Sequence, residues 1–463
     1  MSPRRLHTTR CFALIALLTV AAVSPPLAAQ HFPSDSELLE IIRTRVDEGR
    51  ATGIVVGVIE ADGTRRIQAY GDAGPGALPL TAESIFEIGS ISKVFTAIIL
   101  ADMAADELLS IDDPVQGLLP EGVTMPSRPG QTIRLVDIAT HHSGLPRLPD
   151  NMSPADPSNP YADYTPQMLF DFLNGHELRR DVGEQFEYSN LAVGMMGYLL
   201  GLKNGTDWEA LVKERILDPL GMDKSGITLT PEMERHFVRG HDESGAVVPY
   251  WDIPTLAGAG ALRSDMNDML DFIEANVGEP NSDLERSMRV THEVRESMGG
   301  QMSVGLNWIV QAVGDDRIIW HNGGTAGFRT FAGFDPQSGV GAVVLTNSGH
   351  GADDIGLHLI NNVLPLAPAP EPRVEIEVAR SVMERYVGVY ELAPTFKFTV
   401  TLGDAGLVVQ ATGQPAFEVF AESETLFFLK AVEAQIEFVV EEGEVVALIL
   451  HQGGAAQRAA KVQ

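Results

Sequence analysis

The chain has 463 residues, 44% of them hydrophobic and 21% charged, with 63 acidic against 33 basic side chains. That length holds a large domain with a smaller one, or two to three domains, and the apolar fraction excludes wholesale disorder. The acid excess repels nucleic acid and anionic membrane surfaces, so neither is an expected partner.

Arg4, Arg5 and Arg10, the apolar run 12–23 and Leu27-Ala28-Ala29 before Gln30 follow the order of a secretory signal peptide, residues 1–29. The competing reading is a membrane anchor, but about a dozen apolar residues fall short of the roughly 20 a spanning helix needs. Export to the periplasm or the extracellular space is expected, without stable membrane insertion. The only cysteine, Cys11, lies in this leader, so the mature chain has no thiol nucleophile, disulfide or cysteine-ligated metal.

Residues 53–60 form an apolar run that suits a buried strand, and 92–109 carry apolar residues at helical spacing. A second such helix spans 190–202. Thr206-Asp207-Trp208-Glu209 has the form of a capping box opening a helix through Leu217. Ser264-Asp265 starts another helix, with acids in its first turn. Three strand-like runs follow at 317–320, 330–334 and 341–345. A strand early, several late and helices between predict an α/β core, or α+β, whose sheet is closed by both chain ends. The Pro/Ala-rich stretch 364–373 reads as a semi-rigid linker, dividing a domain at 30–363 from a tail at 374–463. In the tail Phe396, Phe398, Val400 and Leu402 alternate with polar residues, as do Ile436, Phe438, Val440 and Val446, Leu448, Leu450. With turns at Gly403, Gly413 and Gly443, this predicts a small antiparallel sheet or barrel.

Three short motifs carry chemistry. In Ser90-Ile91-Ser92-Lys93, residues three apart share a helix face, so the lysine can reach the serine. A serine hydroxyl needs a base, and a lysine serves if apolar surroundings lower its pKa. A capping serine followed by a surface lysine is the bland alternative, yet of seven lysines only Lys93 has a serine three residues before it. Tyr188-Ser189-Asn190 could offer a phenol for proton relay and an amide for a substrate hydrogen bond, but taken alone a loop tyrosine capping a helix explains it better. His321-Asn322-Gly323-Gly324 follows a strand, and glycine there lets a backbone N–H approach a developing oxyanion. His142-Ser143-Gly144 and His451-Gln452-Gly453 fit the same pattern. His141-His142 and the pair His236 and His241 lack the carboxylate spacing of a zinc site, so no metal is expected. No cofactor is expected either.

Taken in order, S-x-x-K, Y-S-N roughly 100 residues on and H-x-G roughly 130 further resemble the penicillin-recognising serine hydrolases. Y-S-N in place of S-D-N is similar to the class C β-lactamase branch, with its D-Ala-D-Ala peptidases and related esterases. Leu108-Leu109-Ser110-Ile111-Asp112-Asp113-Pro114 and Thr140-His141-His142-Ser143-Gly144-Leu145-Pro146 fit that family too, over about residues 35–362. The resemblance implies Ser90 as nucleophile, Lys93 as its base and Tyr188 as proton shuttle. It further implies that Asn190 binds a substrate amide and that the Ser90 and Gly324 N–H groups form the oxyanion hole beside Gly323. His321 would take the cationic position of the third motif, where efficient class C β-lactamases carry lysine. A histidine is mostly neutral at pH 7. If it acts as an imidazolium, KM for anionic substrates should rise between pH 6 and 8. The tail, opening on 385–390, resembles lipocalin-like β domains attached to some family members.

The expected function is a serine hydrolase that forms an acyl-enzyme on Ser90 and cleaves the amide of a β-lactam or a D-amino-acid peptide. A carboxylesterase with the same residues is the second expectation. A slow penicillin-binding sensor or binding module is the third.

Overall fold

Strand β1 (Gly53–Ile59) is apolar at every position because both of its faces are covered. In the computed structural model it is the second strand of an eight-stranded antiparallel sheet in the order β2-β1-β8-β7-β6-β5-β4-β3. The partners are β2 (Arg65–Gly71), β3 (Glu296–Gly299), β4 (Met302–Val304), β5 (Ile309–Val313), β6 (Asp316–Gly324), β7 (Arg329–Asp335) and β8 (Val340–Thr346). The structure describes residues 31–463 apart from 370–372, 394–395, 404–405, 413–415, 431–433, 453–454 and 463. The leader at 1–29 and the turn expected at Gly413 lie outside the described residues.

The expectation that both chain ends close the sheet is met by β1 and β8, which pair with Ile54 opposite Thr346 and Ile59 opposite Gly341. Period-two side-chain alternation divides these strands between two cores. Ile54, Val56, Val58, Ala342 and Val344 face helix α1 (Asp35–Asp47) and a helix at Asp353–Ile360. Val55, Ile59, Val343 and Leu345 face the helical region on the other side. That region includes α2 (Ser92–Ala105), α3 (Asn190–Asn204) and α4 (Met266–Val277).

The helices differ from expectation mainly at their ends. α2 stops at Ala105, and Glu107 adopts φ 58°, which breaks the run expected to reach 109. α3 runs two residues past its expected end, to Gly205 at φ 74°, a left-handed cap. The capping box at 206–209 is shifted by one residue. Asp207, not Thr206, caps the helix by accepting from the Ala210 N–H at 2.8 Å, and Glu209 instead accepts the Ile227 N–H at 2.9 Å.

In the tail eight strands close into an antiparallel barrel, the first (Gly388–Ala393) pairing with the last (Ala455–Lys461). Glu442 (φ 50°) and Gly443 (φ 90°) make the tight turn expected there. Side chains fill the barrel: Tyr386 stacks on Phe438 with centroids 4.2 Å apart, and Tyr390 and Phe427 complete the layer. The start of the expected linker is docked instead of free. Leu364 and Leu366 pack on the α1 core, and Ala367 accepts from the Arg50 guanidinium at 3.0 Å while donating its N–H to Asp354 at 2.8 Å.

Candidate active site

Ser90 sits in a single 3-10 turn, Gly89–Ile91, that leads into α2. Gly89 has φ 53°, and a Cβ on it would lie 2.7 Å from the Gly324 nitrogen, so glycine is required for the turn to meet the sheet. Two bonds tie this turn to the segment before α4: the Ser92 hydroxyl donates to Gly89 O at 2.7 Å and accepts the Leu262 N–H at 3.1 Å.

Lys93 is fully buried, the consequence of a helix whose residues are apolar around most of its circumference. Its Nζ lies 3.0 Å from Ser90 Oγ and donates to Ala259 O at 2.7 Å. Thr96, one turn on, donates to Gly258 O at 2.8 Å, so one short turn fixes both side chains. Burial holds the ammonium pKa well below its ordinary value, and the Arg147 charge adds to the effect. The shift favours the neutral amine, the form in which a lysine can accept a proton.

Tyr188 precedes the Ser189 cap of α3, whose hydroxyl donates to Pro146 O at 2.7 Å and accepts the Ala192 N–H at 2.9 Å. The phenol faces four cationic or imidazole side chains. Lys93 Nζ lies 4.8 Å and the Arg147 guanidinium carbon 5.2 Å from its ring centre, with the His141 and His321 rings at 4.4 and 6.2 Å. Burial raises its pKa above the ordinary phenol value, opposed by a hydrogen bond with Ser90 and by the Arg147 charge. The phenol is thus protonated at neutral pH and serves as a donor. Asn190 opens α3, donates to the Tyr161 hydroxyl at 3.2 Å and leaves its Oδ1 buried without a partner.

His321, Gly323 and Gly324 lie on β6 beyond Trp320, the last residue that pairs with β5. That edge of the strand faces the Ser90 turn. A Cβ on Gly323 would lie 1.9 Å from Ile88 O. The glycine pair therefore brings the Gly324 N–H alongside the turn bearing Ser90. His321 is buried, and its Nδ1 donates to Asn322 O at 2.6 Å, leaving Nε2 as an acceptor. Burial and the Lys93 charge lower its pKa to about 3. The ring therefore favours its neutral form.

Three participants were not singled out from the sequence. His141, expected only as a non-ligand histidine in a loop, accepts the Ser189 N–H on Nδ1 at 3.1 Å and packs on Tyr188. Arg147 and Tyr161 flank the Tyr188 loop. Their only signal was proximity to the His141–Pro146 run. The rival pattern at His142 is elsewhere engaged, with Nδ1 2.7 Å from Thr140 O. The His451 of the other rival pattern lies on a barrel strand and contacts Glu437.

An antiparallel sheet covered by helices, with a serine and a buried lysine one turn apart between them, is an architecture of serine hydrolases. Residues 38–363 match the β-lactamase family, and the chain belongs to that family. Residues 372–462 match a domain of unknown function, DUF3471. The chain is 26% identical over 380 residues to the D-alanyl-D-alanine-carboxypeptidase/endopeptidase AmpH of Escherichia coli (strain K12), covering 76% of this chain and 96% of that protein. It is 25% identical over 416 residues to penicillin-binding protein 4* of Bacillus subtilis (strain 168), covering 83% and 89%. Among solved structures, the octameric penicillin-binding protein homologue from Pyrococcus abyssi superposes with a TM-score of 0.63 at 23% identity, over 92% of this chain and 99% of that one. The enzyme is a serine hydrolase of the β-lactamase and D-Ala-D-Ala carboxypeptidase type.

Proposed function

We propose that this enzyme is exported and cleaves an amide bond, in a β-lactam or a D-amino-acid peptide, through an acyl-enzyme on Ser90. The observation that carries the reading is the fully buried Lys93 amine 3.0 Å from Ser90 Oγ, its pKa lowered by burial. Lys93 takes the serine proton as Oγ attacks the carbonyl carbon. The Ser90 and Gly324 N–H groups stabilise the oxyanion, an effect worth about 10²–10³ in rate per donor. Collapse of the tetrahedral intermediate expels the amine, which receives a proton through Tyr188. Water then attacks the ester, giving up its proton to the same Lys93 and Tyr188 pair, and Ser90 is regenerated. Asn190 orients the substrate amide, and the unpaired edge of β6 at His321–Gly324 offers backbone groups to an extended substrate. A carboxylesterase is the second reading, favoured by the neutral His321, which brings no full charge to a substrate carboxylate.

Intact mass spectrometry of the mature enzyme with a penicillin, from seconds to hours, tests this. A covalent adduct is expected on the wild type and none on Ser90→Ala. A transient adduct is expected of a β-lactamase and a persistent one of a peptidase. An adduct on Ser90→Ala as well would overturn the mechanism, and hydrolysis of acyl esters alone would select the esterase.

A further inference from the structure

Arg147 places a guanidinium over the Tyr188 ring, apart from the third motif. Its main chain is fixed: its carbonyl accepts the Asn190 and Leu191 N–H groups at 3.0 and 3.1 Å, which locks the residue to the start of α3. Its side chain is exposed, lies over the Tyr188 ring and makes no ion pair among the described residues, in a chain with 63 acids. The charge reaches the reacting groups, because it contributes to lowering Lys93 and His141. Its charge also acts on the Tyr188 and Tyr161 phenols. Beside it the buried Asn190 Oδ1 lacks a donor. This corner of the site thus presents an exposed guanidinium without an ion pair and, next to it, a buried acceptor without a donor.

We propose that Arg147 is a specificity-determining residue that pairs with a carboxylate on the acyl part of the substrate, while Asn190 Oδ1 accepts an N–H from the same part. The inference rests on the acyl-enzyme reading above. The substrate class is an amide or ester whose acyl group is itself acidic, such as a peptide with an acidic residue before the cleaved bond. A guanidinium–carboxylate pair formed at a fixed arginine is charge-assisted, and its loss costs about 10–100-fold.

The test uses two esters with the same chain length, the p-nitrophenyl half-ester of glutaric acid and p-nitrophenyl pentanoate, on the full-length mature enzyme and on Arg147→Lys, Arg147→Met and Arg147→Glu. The ratio of kcat/KM for the acidic over the neutral ester should fall about 10–100-fold in Arg147→Met. The change should lie mainly in KM, with a further fall in Arg147→Glu and retention of most of the ratio in Arg147→Lys. Removing the positive charge should also raise the Lys93 pKa and move the acidic limb of the neutral-ester profile to higher pH. An unchanged ratio in Met and Glu variants overturns the proposal. So does an equal loss on both esters with the acidic limb in place, which is the signature of a merely structural arginine. If the wild type is acylated by neither ester, the Ser90 reading itself fails and takes this one with it, a result distinct from an unchanged ratio.

Discussion

Two of the buried clusters of ionisable groups in the catalytic domain answer burial in opposite ways. Around Ser90 the groups are bases: Lys93, His141 and His321 are all pushed toward their neutral forms, and no ion pair compensates Lys93. At the start of α4 the groups are acids. Asp265 caps the helix by accepting the Asp268 N–H at 2.8 Å, and Asp268 accepts the Lys224 N–H and the Ser225 hydroxyl, each at 2.8 Å. Burial raises these carboxyls to about 6 and about 7, with Asp265 also raising Asp268. Both clusters prefer to be uncharged, yet only the first leaves a lone pair where a reaction can use it. The second is closed by backbone and hydroxyl donors and serves to join Lys224-Ser225 to α4.

The contrast extends to pH. A base whose folded pKa is depressed is neutral in the fold and protonated in the unfolded chain, so the Lys93 contribution to stability improves as pH rises toward its ordinary value. The acids run the other way. Their folded values near 6 and 7 exceed the unfolded value near 4, so their contribution is fully present below about pH 4 and is lost as pH rises to about 7.

The largest expected break of this comparison is Lys93→Met. Turnover should fall about 10²–10⁴-fold with loss of the general base, while the melting temperature at pH 7 stays level or rises, since a buried polar group without a counter-charge is removed. Calorimetry showing a large loss of stability alongside the loss of activity would mean that Lys93 is structural. Gly323→Ala comes next. Its Cβ would collide with Ile88 O, push β6 from the Ser90 turn and displace the Gly324 N–H. Loss of one oxyanion donor lowers kcat about 10²–10³-fold. A variant with normal kcat would remove Gly324 from the oxyanion hole. The pH dependence sharpens the picture further. With His321 near 3, KM for an anionic substrate should show no inflection from that residue between pH 6 and 8, and an inflection abolished by His321→Gln would restore its cationic role. The smallest effect is expected at Asp268→Asn, which should stabilise the fold by about 1–2 kcal/mol at pH 8 and much less at pH 5. Equal shifts at both pH values would show that the acid pair is ionised at no cost.

What the sequence made legible was local. Ser90 and Lys93 are one helical turn apart, and that spacing alone brings them together. Tyr188 and Asn190 flank a helix cap, and β6 was marked by its apolar run before His321. The contacts that give these residues their chemistry were not legible, because they span long loops. The Ala259 carbonyl that holds Lys93 is 166 residues away, and the Arg147 charge arrives through the packing of another loop. Strand β2 escaped notice because its residues Arg65-Arg66-Ile67-Gln68-Ala69-Tyr70-Gly71 are partly exposed on both faces and show no alternation. The charge of His321 depends on burial, which a histidine beside two glycines does not announce.

The pairing of β1 with β8 has a consequence for how the chain reaches its folded state. A strand ending at Ile59 waits for one beginning at Val340, so β1 and β2 cannot join the rest of the sheet until nearly the whole catalytic domain has been synthesised. Contacts of such sequence separation fold slowly. As the chain emerges from its N-terminus, β1 therefore stays without this partner for most of the synthesis of the domain. The barrel, whose strands pair with close neighbours apart from its closing pair, can form in one step once its last strand, Ala455–Lys461, has emerged.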